Sequence, residues 1–197
     1  MALQPVLPIT LELPRGRARL EPLTHAHVTG LFEAAQDEDI WRYMPNPMPR
    51  TLEEMSAFID RATVGAQLSF VVVDRADGRV AGTTRYLEID PPNGQLEIGA
   101  TWYGQAWRRT GINTECKLLL LGHAFERLNA GRVFLKTDGR NTRSQQAIMR
   151  LGASFEGSLR RSRALHDGFV RDTVYFSVLR EEWPSVKSRL EWLLEPR

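Results

Sequence analysis

Residues 96–114, LEIGATWYGQAWRRTGINT, constrain this chain more than any other stretch. The segment reads as a strand, then a basic glycine-containing loop, then the start of a long helix. Such a loop turns several backbone N–H groups into one concavity, and the helix N-terminus adds its positive dipole end. Arg108 and Arg109 sit inside the turn. The chemistry calls for a polyanion, most simply a pyrophosphate. Two common nucleotide loops are excluded. A Walker A loop needs a Gly-Lys-Ser/Thr ending, and no lysine stands there. The dinucleotide fingerprint needs GxGxxG, a spacing missing around Gly111. What remains is Arg108-x-x-Gly111-x-Asn113 directly before a helix.

Composition removes several other classes. The chain has 197 residues, enough for one domain with a full core, and 42% are hydrophobic and 25% charged. A net charge of +2 with no basic tract argues against a nucleic-acid binder, although 23 residues are arginine and only Lys117, Lys136 and Lys187 are lysine. The single cysteine, Cys116, excludes an intrachain disulfide and a cysteine metal cluster, and no histidine has metal-ligand spacing. No apolar run approaches the ~20 residues of a membrane span. The proline-bearing N-terminus lacks the apolar core of a secretory signal. A cytoplasmic protein with no membrane or nucleic-acid partner and no metal is expected.

Periodicity orders the rest. Residues 9–20 alternate about a Pro-Arg-Gly turn and read as two short strands or a hairpin. Thr24 caps an amphipathic helix over residues 25–38, and the prolines of 40–49 cannot continue it. Thr51 and Glu54 make a capping box for a helix carrying Met55, Phe58, Ile59 and Ala62. Residues 68–74, 80–90 and 95–103 are three antiparallel strands that feed the loop. A helix over 114–128, a strand over 132–138, a short helix capped by Asn141 or Thr142, a hairpin turning at His166-Asp167-Gly168 and a helix begun by Pro184 follow. The order is β-α-α-βββ-α-β-α-ββ-α, one α+β domain over residues 1–197, with a mixed sheet and helices on its faces.

The loop and this order together resemble the GNAT superfamily of acetyl-CoA-dependent N-acetyltransferases, whose pyrophosphate loop is Gln/Arg-x-x-Gly-x-Gly/Ala. Asn113 departs from the last small residue, but Asn tolerates a left-handed backbone. The resemblance runs from about Leu11 to about Pro184. The stretches RARLEPLTHAHVTGLFEAA, GINTECKLLLLGHAFERLNAGRV, DGRNTRSQQAIMRLGASFEG and DTVYFSVLREEWP are similar to the Rim-type branch, which includes acetyltransferases of ribosomal-protein N-termini. It implies a twisted, mostly antiparallel sheet with splayed central strands. It also implies acetyl-CoA as co-substrate, an amine acceptor (a protein N-terminus or a small molecule) and a homodimer.

Carried onto this chain, the resemblance places the pyrophosphate on backbone N–H groups of Arg108, Arg109, Thr110, Gly111, Ile112, Asn113 and Thr114. It places the pantetheine arm along Thr101, Trp102 and Tyr103. Glu97 alternates with Leu96 and Ile98 and shares a face with Gly99 and Thr101. It is a general base if that face looks into the cleft, and a surface carboxylate or a structural salt bridge otherwise. Glu88 on the next strand is the substitute. The superfamily pattern from Asn141 expects a tyrosine acid seven residues on, where Ile148 stands. Ser144, one turn earlier on the same face, replaces it as proton donor to the thiolate and coenzyme contact, or is a helix-terminal serine. Asn141 meets the pantetheine amides or is a plain cap. Trp41 and Tyr43 line the acceptor site or cover the core. A non-catalytic CoA-binding module on the same fold is the rival reading, kept open by the missing tyrosine.

Overall fold

The structure, a computed structural model, describes residues 2–195. Eight strands form one sheet in the order β1-β2-β3-β4-β5-β6-β8-β7. They are β1 (Leu11–Glu12), β2 (Ala18–Pro22), β3 (Leu68–Asp74), β4 (Val80–Asp90), β5 (Gln95–Tyr103), β6 (Arg132–Asp138), β7 (Ser154–Ala164) and β8 (Val170–Leu179). β5 and β6 run parallel and every other neighbouring pair is antiparallel. The helices are α1 (Val28–Ala34), α2 (Glu38–Trp41), α3 (Leu52–Thr63), α4 (Ile112–Gly122), α5 (Thr142–Leu151) and α6 (Trp183–Leu194).

Two adjacent residues of β4 show that helices cover both faces. The guanidinium of Arg85 lies 5.0 Å over the Phe58 ring of α3. The next side chain, Tyr86, donates to the Leu120 carbonyl of α4 at 2.6 Å. Successive strand residues point to opposite faces, so α3 and α4 sandwich the sheet. β3 is buried along its whole length, as its continuous apolar run predicts for a central strand.

The helix expected over residues 25–38 is broken. His25–His27 form a 3-10 turn, α1 stops at Ala34, and α2 begins at Glu38. Two polar groups explain the break. The Asp37 carboxylate accepts from Asp39 N–H at 2.9 Å and caps α2, and the Trp41 indole N–H donates to the Ala35 carbonyl at 3.0 Å. α4 runs on through a wider π turn, His123–Arg127, close to the end expected for it. Asn141 caps α5 by accepting from Ser144 N–H at 3.0 Å, and Gly152 ends it at φ 103°.

Candidate active site

The sheet opens at its centre. β5 and β6 pair only at Gln95–Arg132, Leu96–Val133 and Glu97–Phe134, although β5 continues to Tyr103 and β6 to Asp138. The edge of β5 that carries Thr101, Trp102 and Tyr103 is therefore left without a β6 partner, although the Tyr103 carbonyl accepts from Arg108 Nε at 3.3 Å. β5 also bulges. Its register against β4 shifts between Trp102–Thr83 and Gly99–Arg85, and Ala100 takes φ 47°. The bulge breaks the strand's alternation. Thr101, expected on the Glu97 face, instead points at α4, where its hydroxyl accepts from Lys117 Nζ at 3.0 Å and bonds the Thr84 hydroxyl at 2.7 Å. Trp102 turns the other way, into a cluster with Trp41 and Phe58.

Beyond the bulge lies the loop. Trp107 anchors it, donating from its indole N–H to Asp74 Oδ2 at 2.9 Å. Asp74 is buried at the end of β3 and also takes Arg17 Nε at 2.9 Å and Nη2 at 2.6 Å. The Arg17 hydrogen bonds come first among the causes that hold its carboxyl at about 2. Arg109 and Gly111 both adopt left-handed backbone, φ 62° and 86°, which folds the chain tightly into α4. Among the described residues, nothing accepts from the N–H groups of residues 109–114. This is a fixed row of open donors at a helix N-terminus, and it fits a pyrophosphate. The side chains of the loop face different partners. Arg108 is ion-paired with Asp37 at 2.7 Å and Thr110 donates to the Trp107 carbonyl at 2.7 Å, while Arg109 is exposed.

Glu97 is buried on the α3 face of the sheet, 6% exposed. A Cβ at residue 99 would fall 2.3 Å from its Oε1, so only glycine there lets the carboxylate lie over the sheet. Lys136 Nζ pairs with Glu97 at 2.8 Å and bridges to the exposed Glu88. Burial nevertheless pushes the Glu97 carboxyl above its ordinary value, with Lys136 opposing. On the α4 face, burial lowers the Lys117 ammonium to about 8. The sequence reading missed both lysines. Lys117 stands in a run of apolar residues and Lys136 in an apolar strand, and a buried charge needs a partner. That was the available signal. Cys116, beside Tyr103, is buried and pushed up to about 12, which makes it a poor nucleophile.

The two helix-terminal candidates separate. Asn141 is a cap, with its carboxamide oxygen committed to Ser144 N–H. The Ser144 hydroxyl is half-buried and has no hydrogen-bond partner among the described residues. Tyr43 and Asn141 share a cavity of about 190 Å3 with Asp39, Arg42, Arg140 and Arg143. Trp41 does not line it. At 2% exposed, it belongs to the core.

Residues 17–154 match the acetyltransferase (GNAT) domain family. The chain belongs to the GNAT acetyltransferase family. A solved GCN5-related N-acetyltransferase from Brucella melitensis is 32% identical, with a TM-score of 0.93 over all of this GNAT chain and 90% of that one. The Bacillus licheniformis protein p20, called an uncharacterized N-acetyltransferase, is 28% identical over 88% of the chain and 98% of its own length. YdaF of Bacillus subtilis, provisionally named a ribosomal N-acetyltransferase, is 32% identical over 56% of this chain, and the match spans 60% of YdaF. That name agrees with the Rim-type branch. The central opening of the sheet and its mostly antiparallel pairing are those expected of a GNAT fold. No helix among the described residues is long and apolar enough to cross a membrane.

Proposed function

We propose that the protein is a cytoplasmic N-acetyltransferase that moves an acetyl group from acetyl-CoA to a primary amine by direct attack in a ternary complex. The amine belongs to a protein or peptide N-terminus or to a small molecule. One observation carries this reading. The opening between β5 and β6 begins just beyond Glu97, a buried carboxylate of raised proton affinity, and the same strand runs on into the loop with the open N–H groups of residues 109–114.

Acetyl-CoA supplies an activated thioester. Residues 109–114 hold its pyrophosphate, and the β5 edge at Thr101, Trp102 and Tyr103 pairs with its pantetheine arm. Glu97 accepts the proton that the ammonium must lose before its lone pair forms the N–C bond. Ser144 gives its hydroxyl proton to the sulfur as the C–S bond breaks, and it is reprotonated through water by the second proton that the nitrogen loses as the amide forms. The products are an acetamide and a free thiol. The high proton affinity of Cys116 argues against an acetyl-cysteine relay.

Calorimetric titration with acetyl-CoA, followed by thiol release with and without an amine panel, tests the reading. Micromolar binding with amine-dependent release is expected. Binding without release from any amine would establish the non-catalytic rival. The Ser144→Ala variant should lose about tenfold in kcat while acetyl-CoA affinity stays within about twofold, because the hydroxyl acts on the leaving group. Equal losses in both would remove Ser144 from that role.

A further inference from the structure

Resting on the transferase reading above, we infer that the amine acceptor carries a carboxylate and that Arg171 receives it. Arg171 stands on β8, two residues from Thr173, which pairs with Asp138, and four from Tyr175, which pairs with Lys136. By the two-residue period its side chain projects from the same face as Lys136 and Glu97. It is 9% exposed.

Its partners are neutral. Nε donates to the Thr173 hydroxyl at 3.1 Å and Nη1 to the Tyr43 carbonyl at 3.3 Å. No carboxylate forms an ion pair with it among the described residues. Asp138, an acid whose field reaches it, is taken by Arg140 through Nε at 3.0 Å and Nη2 at 2.8 Å. Arg163 lies opposite Arg171 in the β7 register and adds repulsion. A buried cation without an anion is costly, and a carboxylate bound beside Arg171 offsets that cost. A planar guanidinium suits a carboxylate, which accepts two N–H bonds at once.

The approach carries the same sign. The Tyr43 carbonyl that Arg171 holds belongs to the residue lining the cavity with Arg42, Arg140 and Arg143. Arg140 is spent on Asp138, but Arg42 and Arg143 are exposed and form no ion pair among the described residues, and Asp39 is the sole acid of the lining. A positive funnel draws in anions. Arg171 also lies within the field of Glu97. A carboxylate held on Arg171 orients the acceptor so that its ammonium faces Glu97. An amine lacking the carboxylate meets Arg171 and Arg163 as unbalanced like charges.

Two sources share this chemistry, a peptide N-terminus followed by Asp or Glu and a free amino acid. Matched acceptors separate them. kcat/KM is measured with acetyl-CoA for peptides bearing Asp or Glu against Asn or Gln at the second position, and for amino acids against their amides. The acid member of one series should exceed its amide by tenfold or more, and the series that shows the ratio names the source. Arg171→Gln, which keeps donors for Thr173 and Tyr43, should bring the ratio close to one. Exposed Arg42→Gln and Arg143→Gln, together, should lower it severalfold even if the Arg171 variant misfolds. Equal rates for acid and amide in both series overturn this inference and leave the transferase intact. Turnover of no acceptor overturns both.

Discussion

Glu97→Gln should lower kcat by about 10²- to 10³-fold, the range expected when a positioned general base is lost. The substitution preserves shape, and Lys136 keeps its bridge to Glu88, so the fold and acetyl-CoA binding should be retained. The pH profile separates a base from a merely structural carboxylate. Burial raises the Glu97 carboxyl, so the acid limb of kcat/KM in the parent protein should lie above the ordinary carboxylate value near 4.5. Activity depends on the ionised form and falls as pH drops through that limb. The glutamine variant should lose the limb. An unchanged profile with a small rate loss would assign Glu97 to the ion pair alone.

Asp74→Ala should destabilise the fold by about 3 kcal/mol. It strands the buried indole N–H of Trp107 and releases Arg17 together. For a chain of this size that amounts to roughly a 6–12 °C fall in Tm. The loss should extend to acetyl-CoA affinity, because Trp107 holds the loop that presents residues 109–114. The parent protein carries the same information in its acid sensitivity. Asp74 has its folded value depressed from 3.8 to about 2, so its contribution is complete above the unfolded value and is lost as pH falls from about 4 to 2. At ~1.36 kcal/mol per pH unit this is about 2 kcal/mol, less the screening at half-exposed Arg17. Denaturant midpoints across that window check it. If the Asp74→Ala variant keeps the same acid slope, other carboxylates are responsible.

The sequence disclosed what local rules govern. The glycine at 111 before a helix, the Asn141 cap, the Thr51 cap and the hairpin turns each write their signal within a few residues. The order of elements followed from periodicity, and with it the fold. What stayed hidden depends on distant partners or on a single dihedral angle. Thr101 faces Lys117 because Ala100 is left-handed, and nothing about an alanine announces that. The Arg108 side chain stands in a turn that suits a polyanion, but Asp37, brought up by the break between α1 and α2, holds it. Strand alternation leaves Glu97 as a base, a surface carboxylate or an ion pair, and the chain makes it a buried ion pair with raised proton affinity, through a lysine 39 residues later in sequence.

The short seam between β5 and β6 also divides the molecule mechanically. Five strands lie on one side and three on the other, and three residue pairs of backbone ladder join them. Side-chain packing of α6 against α4, α5 and β8 supplies much of the remaining cohesion across that line. A change in the width of the opening strains few backbone hydrogen bonds, since the ladder there is already absent. The seam is where backbone ladder ties the two sub-sheets together least, and α6 packs beside it and brings Leu194 up to Gly111 of the loop.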